Sequence, residues 1–498
     1  MTYDRLMRLV AVMQLLALAG CDRVLGLHTL APMPDGAPDA PPLPFSVTGL
    51  YHQMYATNDS TGTPTVVDRY YATSEISMNV TLDDGTTPAV IYNADGTFSF
   101  GLETQGQSYR LRVVNDNGAV EYQLDLPEIE LVTRAAGRPN RTPVMNPTTL
   151  SLSYGAAAGN FVVDSTGLWT HTGAGNVASL TFNYANATSQ SGALGLLDAT
   201  TENDRVFFDD FVGYPTTAPT YSAIGAYAVA KATLVNGGNA AVAGTLMPLA
   251  ASSCAHIVGA DGVDYNRLVA ASLVPYTSAT SDWYVFAVPS PTMTGTQGAL
   301  PVAVEGYNPP VDLNVAPTFG NPFPGTQLLA SEGVGGTRTV SPTGQTPFPI
   351  ADGTRTFAPI TGTCPAASTI LEATLGLPGG PAIDGNALTS DGQVVTIDPR
   401  TPLALTWSLR APGPVDYYTV TVSQVMSPGL VTLETIVTLQ PSAVLDPALF
   451  IDGHDYMLGL GTHVGVPNFA SGDTKTLTYP AQTASVWSVP LRAQVTSQ

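Results

Sequence analysis

Residues 403–409 read Leu-Ala-Leu-Thr-Trp-Ser-Leu, and residues 418–422 read Tyr-Thr-Val-Thr-Val. In both stretches every second residue is apolar, and the residues between them are small or polar. Successive side chains of a β-strand point to opposite faces, so this period predicts strands with one buried face. Residues 431–439 keep a similar alternation. The end of the chain, residues 385–498, is therefore predicted to be a β-sandwich.

The same segment carries a later strand after a turn. Tyr456, Leu458 and Leu460 alternate behind Asp452-Gly453. A Trp-bearing strand, a Tyr-x-Val strand and a late Tyr-x-Leu strand together resemble a fibronectin type III domain. In that fold a late tyrosine bonds back to the preceding turn as a tyrosine corner, and Tyr456 stands in its place. The resemblance implies a spacer or binding module, although Asp452 replaces the proline that is usual there.

Residues 45–132 also read as strands. Residues 91–100 predict a strand, an Asp-Gly turn and a second strand that carries Phe98 and Phe100 on one face. Tyr109, Leu111 and Val113 then alternate with arginines. These motifs resemble the carboxypeptidase regulatory-like, transthyretin-like β-sandwich, with an Ig-like sandwich as the broader description. The resemblance implies a non-catalytic module.

Residues 140–380 follow a boundary rich in Arg, Pro and Gly. Dense β-forming stretches at 150–154, 180–184 and 283–288 predict strands, and Asn236-Gly237 and Asp261-Gly262 predict hairpin turns. The best helical pattern, Ser222 to Leu234, is short and interrupted by glycine. We expect a large β-rich central domain, made of one sandwich or two merged ones. The predicted fold class is all-β, with tandem β-sandwich domains after a signal peptide and a Pro-rich linker.

The N-terminus reads as an export signal. Arg5 and Arg8 precede a short apolar stretch that ends in Leu18-Ala19-Gly20-Cys21. A membrane-spanning helix needs ~20 apolar residues, so this stretch fits a secretion signal better. Its ending resembles the lipobox of bacterial lipoproteins, which implies cleavage after residue 20 and lipidation of Cys21. An ordinary signal peptide with an unrelated cysteine is the alternative.

Residues 21–44 join this signal to the first strand. They contain six prolines between Pro32 and Pro44, which predicts an extended spacer. The expected location is the bacterial cell envelope, with the chain held to a membrane by its N-terminal lipid, outside the cytoplasm. Asp22 resembles an inner-membrane retention signal, but the rule differs among lineages and leaves inner or outer membrane undetermined.

The charge limits the partners. The 39 acidic residues exceed the 18 basic ones, and the net charge is -21. Nucleic acid and anionic lipid surfaces require basic patches, so we expect no nucleic-acid partner. The acidity permits the binding of cations, but the solubility of an exported protein is the simpler explanation.

Cys254 and Cys364 remain once Cys21 is assigned. An even pair in an oxidising compartment predicts a disulfide between them. Two free buried thiols, or a metal site that uses Cys254 and His256, are the alternatives.

The sequence contains none of the common motifs for a serine nucleophile, zinc hydrolysis or phosphate binding. His454, Asp455 and His463 are close enough in sequence to suggest a metal site, but loop polar groups are the simpler interpretation. Calcium is the one cofactor considered, because acidic residues recur near turns, although hairpin geometry also explains them. These acidic residues are Asp83-Asp84, Asp116, Asp209-Asp210 and Asp261 with Asp264.

One segment combines aromatic and acidic residues. Phe207, Phe208, Asp209 and Asp210, with Glu202 and Asp204 upstream, form the candidate ligand groove, because glycan-cleaving sites combine two carboxylates with aromatic platforms. A strand edged by acidic turns is the alternative.

The sequence thus leaves three function classes: a non-enzymatic binding protein for a glycan or envelope protein, a β-sandwich hydrolase acting on glycans, and a structural spacer.

Overall fold

The fold is all-β, with β-sandwich domains in tandem. It is seen in a computed structural model of the chain. The structure describes residues 44–58, 63–115, 118–153, 160–166, 170–174, 179–183, 188–189, 195–214, 221–272, 274–293, 298–304, 310, 312–323, 325–342, 344–361, 367–426 and 429–496. The predicted signal peptide, Cys21 and most of the Pro-rich linker lie outside these residues. The described part includes no helix of the length and apolarity that a membrane crossing requires.

The N-terminal sandwich packs two sheets face to face. One contains β1, β2, β4, β5 and β8, and the other contains β3, β6 and β7. The strands are β1 (Phe45–Asn58), β2 (Pro64–Arg69), β3 (Ser77–Leu82), β4 (Ile91–Tyr92), β5 (Thr97–Leu102), β6 (Tyr109–Asn115), β7 (Gly118–Leu124) and β8 (Glu128–Ala136).

The predicted motifs of this sandwich are confirmed. Phe98 and Phe100 are both buried on one face of β5, and Gly96 takes a positive φ of 82° in the turn before them. The ring of Phe100 meets that of Tyr109 from the other sheet edge to face, with centroids 4.9 Å apart. Aromatic pairs of this geometry stabilise a core beyond the area that they bury.

The central region contains the largest number of strands. They are β9 (Thr149–Ser153), β10 (Asn160–Thr166), β11 (Thr170–Ala174), β12 (Ser179–Asn183), β13 (Thr188–Ser189), β14 (Arg205–Tyr214), β15 (Tyr221–Lys231), β16 (Asn239–Ala243), β17 (Met247–Pro248), β18 (Ser253–Cys254), β19 (His256–Gly259), β20 (Ser278–Val288), β21 (Ala299–Val304), β22 (Leu313–Val315), β23 (Thr318–Phe319), β24 (Gln327–Val340), β25 (Phe348–Pro359) and β26 (Ser368–Leu371). Helix α1 (Asp261–Ala271) lies between β19 and β20.

The long strands β14, β15, β21, β20, β24 and β25 form one broad sheet. Three short strands, in the order β22, β19, β26, form a separate sheet that we call the capping sheet. The capping sheet packs on the broad sheet because Ile257, Leu313 and Leu371 share a core with Trp283 and Ala330. The region is therefore layered, with the capping sheet and α1 on one face of β20, β24 and β25.

One local prediction in this region is wrong, and one helical possibility is not realised. Ser222 to Leu234 is not a helix, since most of it belongs to β15, as the β-rich prediction for the region requires. Asp261-Gly262 does not close a hairpin but begins α1. Acidic residues in the first turn of a helix interact favourably with its macrodipole, and Asp261 and Asp264 both lie in the first turn of α1. Asp312 Oδ1 accepts a hydrogen bond from the Gly262 N–H at 2.9 Å, a partner that the local sequence does not contain.

The C-terminal sandwich contains the strands β27 (Leu377–Ile383), β28 (Asn386–Ala387), β29 (Gln393–Ile397), β30 (Leu403–Ala411), β31 (Tyr417–Met426), β32 (Gly429–Thr438), β33 (Ser442–Leu445), β34 (Asp455–Val464), β35 (Ala481–Trp487) and β36 (Leu491–Val495). Two short 3₁₀ helices lie at Pro447–Leu449 and Phe469–Ser471. One sheet is formed by β28, β27, β30 and β33, and the facing strands include β29, β36, β34, β31 and β32.

The alternation of residues 403–409 and 418–422 is present in this core. Leu403, Leu405 and Trp407 are buried from β30, and Trp407 meets Tyr418 of β31 edge to face at 5.6 Å between ring centroids. Tyr456 is fully buried, and its hydroxyl accepts a hydrogen bond from the Ile451 N–H at 2.7 Å. That contact is the geometry expected of a tyrosine corner.

The three regions also pair with each other through their backbones. β7 of the N-terminal sandwich runs parallel to β32 of the C-terminal sandwich, and β25 of the central region pairs with β35. Through its pairing with β30, β27 belongs to the C-terminal sandwich, although it lies before residue 385, where this sandwich is predicted to begin. Sheets therefore continue from one region into the next.

Candidate functional site on the central region

The predicted groove residues lie on β14, and the rings are not exposed platforms. Phe207 is 2% exposed and packs against Phe323 with ring centroids 5.0 Å apart. Phe208 is also buried, in a different hydrophobic cluster that includes Leu150 and Ala228. Asp209 is fully buried, and burial raises the pKa of Asp210. Neighbouring residues of a strand point to opposite faces, so the two rings enter separate cores and do not line one groove.

The upstream carboxylates of that segment are held by structural contacts. Asp204 is buried, and its Oδ1 lies 2.6 Å from Nη1 of Arg138. Burial raises the pKa of Asp204, while a backbone hydrogen bond from Asp198 and the Arg138 charge oppose that rise. Glu202 accepts a hydrogen bond from Asn140 at 2.8 Å. This arrangement gives no support to a pair of glycan-cleaving carboxylates at this place.

The suggested metal ligands near the C-terminus do not converge. His463 stacks on Tyr417 with ring centroids 4.4 Å apart, and burial lowers its pKa to about 4. Asp455 lies 3.6 Å from Nη1 of Arg492, whereas the His454 imidazole contacts Gln424. Within the described ranges no three His, Cys, Asp or Glu side chains are grouped as a metal ion requires. Asp116, one of the acidic residues considered for calcium, lies outside those ranges.

Cys254 is disulfide-bonded, which removes it as a thiolate ligand beside His256. Cys364 lies outside the described residues, so its pairing with Cys254 stays a prediction. Peptide mapping without reductant would identify the partner.

The outer face of the capping sheet carries three polar side chains in a row, which we call the capping-sheet row. Ser368 of β26, His256 of β19 and Asn314 of β22 lie on adjacent strands. Ser368 Oγ is 2.9 Å from His256 Nδ1, and His256 Nε2 is 3.0 Å from Asn314 Oδ1. Both contacts are solvent-exposed. The row joins a hydroxyl, an imidazole and an amide in sequence.

The hydrogen-bond pattern fixes how a neutral imidazole is protonated. The Asn314 carboxamide oxygen can only accept, so Nε2 of His256 must carry the proton that it donates. Nδ1 is then unprotonated and accepts from the Ser368 hydroxyl. A base faces a hydroxyl in this arrangement, and a third group orients that base.

The inner face of the capping sheet covers two buried carboxyl groups, Asp261 and Glu332, which we call the carboxyl pair. Asp261 begins α1 and is fully buried, and Glu332 of β24 is 2% exposed. Gly259 of β19 lies directly over Glu332, because a Cβ built on it would be 2.7 Å from both Glu332 oxygens. With both carboxyls ionised, no donor in the described part of the chain reaches either Glu332 oxygen.

Burial explains the protonation of this pair. It is the largest cause that raises the pKa of Glu332, and the hydrogen bond with Asp261 and the Asp261 charge add to it. Burial also raises the pKa of Asp261. Ionising both of two acids that share a buried site costs a large free energy, so the pair holds a proton between them. Asp264, one turn along α1, has its pKa raised to about 6 by burial although its carboxylate accepts from the Ala373 N–H.

Sequence reasoning missed the capping-sheet row and the carboxyl pair. The three residues of the row come from positions 256, 314 and 368, and no local motif connects them. Asp261 stands out in the sequence only as part of a turn or of a calcium-type acidic pair, and Glu332 does not stand out. The one available signal was the alternation in His256-Ile257-Val258-Gly259, which places His256 outward and Gly259 inward.

No protein-family model matches the chain, and no curated protein matches it. Among solved structures, the crystal structure of Dscam1 isoform 4.4, N-terminal four Ig domains, is 9% identical, covers 91% of this chain and 98% of its own, and has a TM-score of 0.14. The structure of Down Syndrome Cell Adhesion Molecule isoform 1.30.30, N-terminal eight Ig domains, is 8% identical and covers 89% of this chain and 61% of its own, with a TM-score of 0.12. At these scores the likeness carries no argument about function.

Proposed function

We propose that this chain is a lipid-anchored exported protein of the bacterial envelope whose β-sandwich domains bind a glycan or an envelope protein through the central region. The observation that supports the binding surface is the outer face of the capping sheet. It combines the hydrogen-bonded polar groups of the capping-sheet row with an exposed apolar side chain, Ile370, which is 66% exposed. Binding sites commonly combine a few placed polar groups with apolar contact area.

The buried packing beneath this face supports its role as a binding scaffold. Ile257, Leu313 and Leu371, from the three strands of the capping sheet, are buried in the core below. Loops and short strands on a rigid support are where recognition commonly lies. The flanking sandwiches bury regular apolar cores, and they act as spacers in this proposal.

Binding is tested with the chain from residue 21 onward carrying Cys21→Ser, which cannot be lipidated, on a glycan array with a hydrolysis screen alongside. Ile370→Asp places a charge on the proposed surface and should lower binding to any glycan hit at least tenfold. Val394→Asp is the matched control, since Val394 is 56% exposed on β29 of the C-terminal sandwich. If Val394→Asp weakens binding and Ile370→Asp does not, the C-terminal sandwich is the binding module instead. Glycan hydrolysis without retained binding would favour the hydrolase alternative.

Anchoring is tested separately through the lipobox. Because the acyl chains are expected on Cys21, the Cys21→Ala variant should take up no radioactive fatty acid, whereas the unchanged chain is labelled. A lipidated cysteine supplies more than one acyl chain, which stable membrane attachment requires. Label on the Ala variant would overturn the assignment.

A further inference from the structure

We propose that Ser368 is a nucleophile toward activated acyl esters, with His256 as its general base and Asn314 as the positioning residue for the imidazole. The surface is the one in the proposed function, and in this respect the inference rests on that proposal. In this inference the proposed binding surface also carries out a reaction.

The geometry is that of an activated hydroxyl. Ser368 Oγ lies 2.9 Å from the unprotonated Nδ1 of His256, within the distance over which a base removes a proton. The 3.0 Å contact from Nε2 to Asn314 Oδ1 holds the ring in the required tautomer. A nucleophile, its base and an orienting third group are the arrangement that activates serine on unrelated folds.

The backbone holds these groups in place. β19 pairs in parallel with β26, where His256 is the register partner of Ser368, and antiparallel with β22, where Val258 is the partner of Asn314. The inner side chains of the strands are packed in a core, so the sheet resists shear between them. A site on strands whose inner faces are buried keeps its contacts without a large ordering cost.

The hydroxyl is also accessible. Ser368 is exposed, and Ile370, two residues further along β26, lies exposed on the same side of the strand. An acyl chain of a few carbons could rest on Ile370 while its carbonyl carbon approaches Oγ. The fitting substrate class is therefore a small ester of an aliphatic acid with a good leaving group.

The reaction balances with water as the second reactant. Oγ forms a bond to the carbonyl carbon while its proton passes to Nδ1 of His256. The tetrahedral intermediate breaks its bond to the leaving alcohol, which takes the proton from the imidazolium. Water then attacks the acyl-serine with the same base, and the acid and free Ser368 are released.

The test uses the chain from residue 21 onward with Cys21→Ser, treated with a fluorophosphonate probe and, separately, with p-nitrophenyl acetate. Mass spectrometry should locate the probe on Ser368, and Ser368→Ala should abolish both labelling and p-nitrophenol release. Ser442→Ala, at an exposed position on β33, is the matched control and should change neither. His256→Gln should lower the rate by about 100-fold or more, the usual contribution of a general base.

Asn314 is tested by conservative rescue. Asn314→Asp keeps an acceptor for Nε2 and should retain labelling, whereas Asn314→Leu should lower it at least tenfold. A purely structural role would make both variants alike. Label spread evenly over exposed serines, or persistence of labelling in Ser368→Ala, would overturn the inference. The probe needs no natural partner, so absence of glycan or protein binding with Ser368 labelled would defeat only the proposed function.

Discussion

The C-terminal sandwich and the central region surround their buried acids with different partners. The C-terminal sandwich has an apolar core that includes Leu405 and Trp407, and its buried acids Glu434 and Asp455 lie 2.6 Å and 3.6 Å from the guanidinium groups of Arg112 and Arg492. The central region buries Asp261 and Glu332 between α1 and β24. The first core follows from alternation along each strand. The second depends on contacts between distant residues and on the protonation of acids.

The largest expected effect falls on the apolar core. Trp407→Ala removes a buried indole that touches Tyr418, and should lower the free energy of unfolding of the C-terminal sandwich by about 3–5 kcal/mol. Denaturant unfolding followed by hydrogen exchange of the β31 and β34 amides measures it. The exposed Val394→Ala should stay within about 0.5 kcal/mol. Equal losses in the two variants would mean that the indole is not part of a tightly packed core.

The carboxyl pair should make the central region sensitive to pH. Burial raises the folded-state pKa of Glu332 above its ordinary value of 4.5, so the folded chain keeps a proton that the unfolded chain loses. This contribution is complete below pH 4.5 and declines as pH rises toward the folded-state pKa. The decline has a limit of about 1.4 kcal/mol per pH unit for one proton.

Glu332→Gln tests this dependence because an amide has the shape of the protonated acid but does not titrate. Hydrogen exchange of the α1 amides between pH 5 and pH 9 should show falling local stability in the unchanged chain and a flatter profile in the variant. Glu434→Gln is the control, since Glu434 is equally buried but lies 2.6 Å from Nε of Arg112. It should lower stability without flattening the α1 profile. Identical profiles in the unchanged chain and Glu332→Gln would mean that the pair does not hold the proton.

The smallest effect concerns the tyrosine corner. Tyr456→Phe leaves the Ile451 N–H without its hydroxyl acceptor and should cost about 1 kcal/mol of unfolding free energy. Tyr418→Phe keeps the ring against Trp407 and should cost less than about 0.5 kcal/mol. Chemical denaturation of both variants ranks the two. A larger loss for Tyr418→Phe would remove the special role given to the corner.

The sequence predicts the flanking sandwiches better than the central region. Their strands can be predicted because strand period and Asp-Gly turns are local features, and the hydrogen bond between Tyr456 and Ile451 spans only five residues. The start of α1 was mistaken for a turn because Asp-Gly suits both, and the Asp312 side chain that receives the Gly262 N–H is 50 residues away. The segment around Phe207 was expected to form a groove because composition does not show which face of a strand is buried. The capping-sheet row joins three separate strands, and only the register brings it together.

The parallel pairing within the N-terminal sandwich has a mechanical consequence for a chain tethered by its N-terminus. β1, where the tether would enter, runs parallel to β8 from Thr48 opposite Glu128 to Ala56 opposite Ala136. A pull along β1 loads this row of hydrogen bonds in shear, so the bonds share the force and do not open one after another. Single-molecule stretching from residue 44 should unfold this sandwich in one event at high force. Gradual unfolding at low force would contradict this expectation. Because β7 continues the facing sheet into β32, part of the tension reaches the C-terminal sandwich without passing through the central region.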